Sequence, residues 1–461
     1  MIRARRSLHE QFCRCAWVAL SAGAAIGCYA SHPPDGSVPA GAGRSNGTGT
    51  VSMRPRDPKP VDEDILEPPT PASCTDTPEV VDKLDLLFMV DNSGSMKEEQ
   101  SALRDQFPKL IQVLTTGDRM DGGDSKDFPP VTDLHLGVIT SDMGLVGIDD
   151  IKGCMGFGDD GLLQNEPSSR IVGCTATAPK FVSYKADAPG NSPAKTAADF
   201  GCIADVGTDG CGFEQPLEAT LKALWPSTSP AVAPGQQAQS KPLFIGDARG
   251  RGTSPHGDAE NAGFLRNDPS QGLSLVAIIL VTDEEDCSTG DTSIFTPADY
   301  LDPSDPLAKQ DLDLRCFFNA ATLYPLKRYV KGFRALRAGN ENLVIFGAIT
   351  GVPPDLVTPE TLEAVDFSDD RQRNKFYDGI LDDARMIEGI DPSRTPEQGG
   401  GLLPSCNTPT GKAFPPRRIV DLARAFGENG IVQSICQNDF GPAIDGIIGR
   451  IGTRLRQPCA Q

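Results

Sequence analysis

Leu84-Asp85-Leu86-Leu87-Phe88-Met89-Val90-Asp91-Asn92-Ser93-Gly94-Ser95 is the stretch that decides the fold. Its first seven residues form a nearly continuous apolar run, too short for an ordinary helix. Such a run suits a strand buried on both faces, the kind found in parallel sheets. It stops at Asp91, and a helical pattern follows over 97–114, with apolar residues at Leu103, Phe107, Leu110, Ile111 and Leu114. Strand, polar turn and helix in that order form the repeating unit of an α/β sheet.

The same alternation recurs along the chain. Strands are expected over 134–140, 273–282, 343–350 and 430–436, and helices over 216–224, 317–336, 419–426 and 442–455. The expected fold class is therefore α/β, a doubly wound, mostly parallel central sheet flanked by helices, in one domain over 74–461. Two Gly- and Pro-rich segments, about 142–212 and 226–272, read as long disulfide-rich insertions. Loops of that length in a compact domain are usually functional.

Upstream of the domain the texture differs. Arg3, Arg5, Arg6 and Arg14 make a basic start in which Glu10 is the only acid, and an apolar stretch runs from Cys15 to Ile26. That stretch is too short to span a bilayer and reads as the core of a signal peptide over 1–27. It ends in Ala25-Ile26-Gly27-Cys28, which resembles a bacterial lipobox with Cys28 as the acylated residue; ordinary signal-peptidase cleavage nearby is the alternative. Residues 28–73 are rich in Pro, Gly, Ser and Thr without apolar periodicity, as expected of a disordered tether. The localisation expected is the bacterial cell envelope, an outer-membrane or cell-surface lipoprotein.

Composition narrows the function. The 461 residues carry a formal net charge of −20, which argues against nucleic acid, because phosphate backbones demand a basic footprint. Of 13 cysteines, Cys13 and Cys15 lie in the signal and Cys28 would carry lipid. The remaining ten are Cys74, Cys154, Cys174, Cys202, Cys211, Cys287, Cys316, Cys406, Cys436 and Cys459. An even number in an exported chain is what full pairing requires, and Cys202–Cys211 and Cys287–Cys316 are the local pairs expected first. No Cys-x-x-Cys occurs among these ten, so structural zinc is a poor alternative.

Chemistry concentrates where the strands end. In open α/β sheets ligands bind outside the carboxyl ends of the strands. Asp91, Ser93 and Ser95, spaced two apart in an extended turn, can converge on one hard cation, which prefers oxygen ligands. The plainer alternative is that Ser93 and Ser95 cap the following helix. A second strand end matches the first: Leu275-Val276-Ala277-Ile278-Ile279-Leu280-Val281-Thr282 leads directly into Asp283. The acidic run continues through Glu284, Glu285 and Asp286, whose roles the residues leave open.

A buried strand, then D-x-S-x-S, then a helix resembles the opening of a von Willebrand factor A domain with its metal-ion-dependent adhesion site. The resemblance covers roughly residues 80–456, interrupted by the two insertions. It implies a divalent cation, Mg²⁺ or Ca²⁺ and possibly Mn²⁺, held by Asp91, Ser93, Ser95 and Asp283. It also implies a protein partner whose acidic residue completes the metal shell. The family places a Thr between these motifs; counting back from Ala219 puts Glu214 there, a departure that lowers the ion's net charge and favours Ca²⁺ over Mg²⁺ if it ligates. Otherwise Glu214 points away and water fills the gap.

Three functions follow from different classes. The leading one is a non-enzymatic adhesion or envelope-assembly module, binding a protein through the cation and the membrane through its lipid. A metal-dependent exported hydrolase is the second, although H-E-x-x-H and G-x-S-x-G are both missing and only His32, His135 and His256 would remain after the signal. A metal-free structural envelope protein is the third.

Overall fold

A computed structural model describes residues 81–119, 126–175, 179–226, 242–266, 273–393, 401–408 and 411–456. The chain divides into Met1–Arg54 and Pro55–Gln461, and every described residue belongs to the second unit. The signal, lipobox and tether readings, with Cys28, Cys74 and Cys459, lie outside the described residues.

The sheet is six-stranded and mostly parallel. Its strands are β1 (Lys83–Val90), β2 (Asp133–Thr140), β3 (Val182–Lys185), β4 (Leu275–Val281), β5 (Val344–Thr350) and, last in sequence, β8 (Gly430–Ser434). Their order is β3-β2-β1-β4-β5-β8, with only β3 antiparallel to its neighbour. A separate hairpin pairs β6 (Cys406–Thr408) with β7 (Gly411–Ala413). The helices are α1 (Lys97–Arg104), α2 (Phe107–Thr116), α3 (Pro193–Ile203), α4 (Pro216–Leu224), α5 (Arg315–Phe318), α6 (Lys327–Arg334), α7 (Pro359–Glu363), α8 (Asp370–Leu381), α9 (Arg417–Ala425) and α10 (Gly441–Arg456).

Alternation along β1 builds two cores. Leu84, Leu86, Phe88 and Val90 point into one with Phe107 and Leu110 of α2, Phe200 of α3 and Ile447 of α10. Leu87 and Met89 point into the other, with Leu217 of α4, Phe333 of α6 and Leu422 of α9. Helices therefore cover both faces, which is why the central strands read as unbroken apolar runs. A third, smaller cluster of Leu145, Phe213 and Phe295 packs around Cys154, Cys211 and Cys287.

Several expectations need correction. The helix expected over 97–114 is two helices, because Pro108 has no N–H to donate to Arg104 and its ring crowds that carbonyl. The segment 142–212 is not merely loop: it supplies the edge strand β3 and helix α3. The helix expected over 317–336 breaks into α5 and α6, with Pro325 before the second. Helices α7 and α8 were not expected, and α8 buries only Arg373, Tyr377, Ile380 and Leu381, too few apolar residues to show a periodic stripe.

Four disulfides are formed, Cys154–Cys211, Cys174–Cys202, Cys287–Cys316 and Cys406–Cys436. The expected Cys287–Cys316 pair is present; the expected Cys202–Cys211 pair is not. The chain between them runs away from α3 toward the end of β1, where the Gly210 amide donates to Asn92 O (2.9 Å), so nearness in sequence is lost in space. Cys202 stays beside Ser168, whose amide donates to its carbonyl (2.8 Å). No described helix is long and apolar enough to cross a membrane.

At the amino end of the sheet, Asp85 is fully buried within β1. Its Oδ2 accepts from Ser274 Oγ (2.6 Å), the Arg266 amide (3.0 Å) and Arg337 Nη2 (3.2 Å), while Oδ1 pairs with Arg266 Nη1 (2.8 Å). Arg337 is itself buried and donates to Ser274 O (2.9 Å). Removing one partner from such a cluster leaves uncompensated buried charge. Asp85→Ala is expected to cost about 3–5 kcal/mol of stability, measured by urea unfolding; a loss below about 1 kcal/mol would show that the arginines find other partners.

Candidate metal centre

Register brings the first site residues together. Val90 pairs with Thr140 on one side and Val281 on the other, so the residues that follow, Asp91, Ser141 and Thr282, leave three adjacent strands at one level. The Asp91 amide continues the ladder to Val281 O (2.9 Å). Its carboxylate is fully buried. Oδ1 accepts from the Ser93 amide (2.8 Å) and Ser141 Oγ (3.2 Å), and Oδ2 from Thr282 Oγ1 (2.7 Å). Gln100, one turn into α1, donates through Nε2 to Asp91 O (2.9 Å) and to Gly207 O (2.7 Å), tying the strand end to the first insertion.

Ser93 and Ser95 do not cap α1. The capping position belongs to Met96, and no side chain caps the helix. The two hydroxyls instead lie 3.2 Å apart, with Ser95 near enough to Asp283 to lower its carboxyl. Asp283 is 1% exposed, its carbonyl accepts from the Phe414 amide (2.8 Å), and its Oδ1 is buried with no hydrogen-bond partner. Glu214, in the loop before α4, is 3% exposed, and the charges of Glu284, Asp91 and Asp283 act on its carboxyl. Asp91, Ser93, Ser95 and Asp283 are thus gathered at one edge of the sheet, with Glu214 within electrostatic reach.

These carboxyls lie away from water and repel one another. Burial first, then the neighbouring Asp91 charge, pushes Asp283 up to about 7. Burial and the charges of Glu284, Asp91 and Asp283 hold Glu214 well above the ordinary range. Glu284, half-buried, is pushed up to about 8 by burial and by Asp283 and Asp91, with Lys412 opposing. Burial also raises Asp91, against the hydrogen bonds from Thr282, Ser93 and Ser141. Buried carboxylates in this state take up protons or a cation.

The donors fit a hard cation. An orphaned carboxylate oxygen, two adjacent hydroxyls and a hydrogen-bonded buried aspartate offer only oxygen, the ligand such ions prefer. Among the described residues no three His, Cys, Asp or Glu side chains group closely enough to hold a metal by themselves. Ligation here would therefore draw on the serines.

The acidic run divides by role. Asp283 raises Glu284 and both feel the Asp91 charge, whereas Glu285 accepts from the Arg418 amide (2.8 Å), and Asp286 takes the Leu217 amide (3.1 Å) and Arg418 Nε (3.0 Å), holding α4 and α9 in place. Sequence reasoning missed Ser141, Gln100 and Glu99. Glu99 is 4% exposed with Oε2 unpartnered, and its carboxyl is raised by burial and by the charges of Glu98 and Asp91. Ser141 could have been found, since it follows a third expected strand end.

The raised carboxyls set the sign of the pH dependence. In the metal-free protein they favour the fold at low pH and lose that contribution as pH rises from the ordinary carboxylate range through about 7 for Asp283. A cation must displace the same protons, so its apparent affinity is expected to climb between about pH 5.5 and 8, up to roughly tenfold per pH unit per proton displaced. Calorimetry in buffers of different ionisation enthalpy measures the release; constant affinity with no buffer-dependent heat would contradict it. No protein-family model, curated protein or solved structure matches the chain, and the centre is read from its own geometry.

Proposed function

We propose that this chain is a von Willebrand factor A-like module, doubly wound in arrangement, that binds a divalent cation and through it an acidic residue of a protein partner. Asp91, Ser93, Ser95 and Asp283 would hold the ion, with Glu214 adding a further carboxylate. When bound, the ion supplies an electrophilic point for a partner's carboxylate. The chain's own residues orient and shield that point: Thr282 and Ser141 fix Asp91, and Gln100 fixes the loop that carries the serines. The role is adhesion or envelope assembly rather than catalysis.

The observation that carries this reading is the orphaned Asp283 Oδ1, buried beside the Ser93–Ser95 hydroxyl pair at the ends of adjacent parallel strands. Export to a bacterial envelope and anchoring through Cys28 belong to the same proposal. Four disulfides support an oxidising compartment. A second reading is a metal-free structural envelope protein, in which protons rather than an ion neutralise the raised carboxyls.

Calorimetry with Mg²⁺, Ca²⁺ and Mn²⁺ separates the two. Wild type is expected to bind one ion. Asp91→Ala should abolish measurable binding while circular dichroism stays native, and Ser95→Ala, which removes a neutral ligand, should weaken it less. Glu214→Thr should shift preference from Ca²⁺ toward Mg²⁺, because fewer ligand charges favour the smaller ion here. Unaltered affinity in a folded Asp91→Ala protein would sink the proposal.

A further inference from the structure

At the opposite end of the sheet, where β8 begins, arginines gather around one buried phenol. Arg373 and Tyr377 are four residues apart on α8, and Arg450 and Arg454 are four apart on α10, so each pair shares a helix face. Phe367 joins the two sets. Its carbonyl accepts from Arg373 Nη1 (2.6 Å), and its ring carries the Arg450 guanidinium at 4.4 Å. Arg424 also lies within electrostatic reach of Tyr377, with Arg450 and Arg373.

One arginine of this cluster has no ion pair of its own among the described residues. Arg373 pairs with Asp370, Arg424 with Asp378 and Arg454 with Glu428. Among the described residues, Arg450 has no carboxylate within ion-pair distance. Three donors are left over: Arg373 Nε, Arg450 Nε and Tyr377 Oη are each buried with no hydrogen-bond partner. Tyr377 is fully buried and Arg373 only 7% exposed. Burial keeps the phenol protonated, so it remains a donor. Burial chiefly lowers Arg450, with repulsion from Arg454 and Arg373 adding to it and Tyr377 and Glu428 opposing.

Glycines line the surroundings. Gly427, at φ +62°, would place a Cβ 3.7 Å from the Arg373 guanidinium carbon; Gly430 packs against α9, where a Cβ would meet Ala423 O at 1.8 Å and Tyr377 Oη at 3.2 Å. Orphaned guanidinium and hydroxyl donors within electrostatic reach of one another match the chemistry of an oxyanion.

We propose that Arg373, Arg450 and Tyr377 form a binding site for a small free oxyanion of the phosphate or sulfate class. The site lies at the amino edge of the sheet, away from the candidate metal centre. It does not depend on that centre's function. Enclosure of the phenol favours a free ion over a headgroup held in a membrane.

The test is calorimetry and thermal unfolding of the full chain with inorganic phosphate, against sodium chloride at matched ionic strength. Asp91→Ala serves as the background, so that phosphate bound to a metal at the other edge cannot contribute. Phosphate should raise the unfolding midpoint where chloride does not. Arg450→Gln should weaken phosphate binding roughly tenfold or more, and Tyr377→Phe by roughly threefold to tenfold, from the usual strength of charged and neutral hydrogen bonds. Tyr377→Phe keeps the packing and serves if Arg450→Gln fails to fold. Phosphate acting no better than chloride, or a folded Arg450→Gln chain responding like wild type, would overturn the site and leave those donors to water. Binding to vesicles bearing phosphatidic acid without binding free phosphate would overturn the assignment to a free ion.

Discussion

A carboxylate with no access to water must be satisfied by its neighbours, and Asp91 imposes that condition on the edge of the sheet. Its position, one residue beyond the ladder of β1, is fixed by the apolar run behind it. The same register brings a serine from β2 and a threonine from β4 to its two oxygens. These hydrogen bonds aim the group but leave Asp283, Glu214 and Glu284 crowded around it, so that each is harder to ionise. A sheet edge with several buried carboxyls and few cations beside them suits bound protons or a bound cation.

The decorations on the fold converge on that edge. The first insertion brings Gly210 so close to the β1 exit that a Cβ there would lie 2.2 Å from Asn92 Oδ1. Gly411 of the β6–β7 hairpin approaches Glu99 in the same way, where a Cβ would lie 2.0 Å from Oε1. Phe414, just past the hairpin, donates to the backbone of Asp283. Disulfides fasten both: Cys154–Cys211 holds the insertion beside Asn92, and Cys406–Cys436 ties the hairpin to the exit of β8. Rigid walls of this kind hold a site's geometry with little entropy left to lose on binding.

The strands were legible because burial on both faces leaves no ambiguity of period: β1, β2, β4 and β5 all fall within a residue or two of their apolar runs. The residue after each strand was legible for the same reason, which is how Asp91 and Asp283 could be named. What escaped notice depends on contacts across the chain. Helix α8 is held by Arg373 and Tyr377 rather than by an apolar stripe, and periodicity does not register a buried arginine. The partner of Cys211 is 57 residues away, reached only once the insertion has folded back. Glu99 looks like an ordinary acid in the first turn of a helix, and its burial comes from the hairpin more than 300 residues later.

The two ends of the sheet are built by opposite electrostatic rules. At the amino end Asp85 is surrounded by Arg266 and Arg337, so its charge is matched within the fold. At the carboxyl end the acids stand with too few cations, and protons, or on our proposal a divalent cation, make up the match. Anomalous diffraction from crystals grown with Mn²⁺ tests that difference most directly. The account predicts a single strong peak within about 2.0–2.6 Å of oxygens from Ser93, Ser95 or Asp283. A protein that crystallises in Mn²⁺ with no peak at this edge would contradict it.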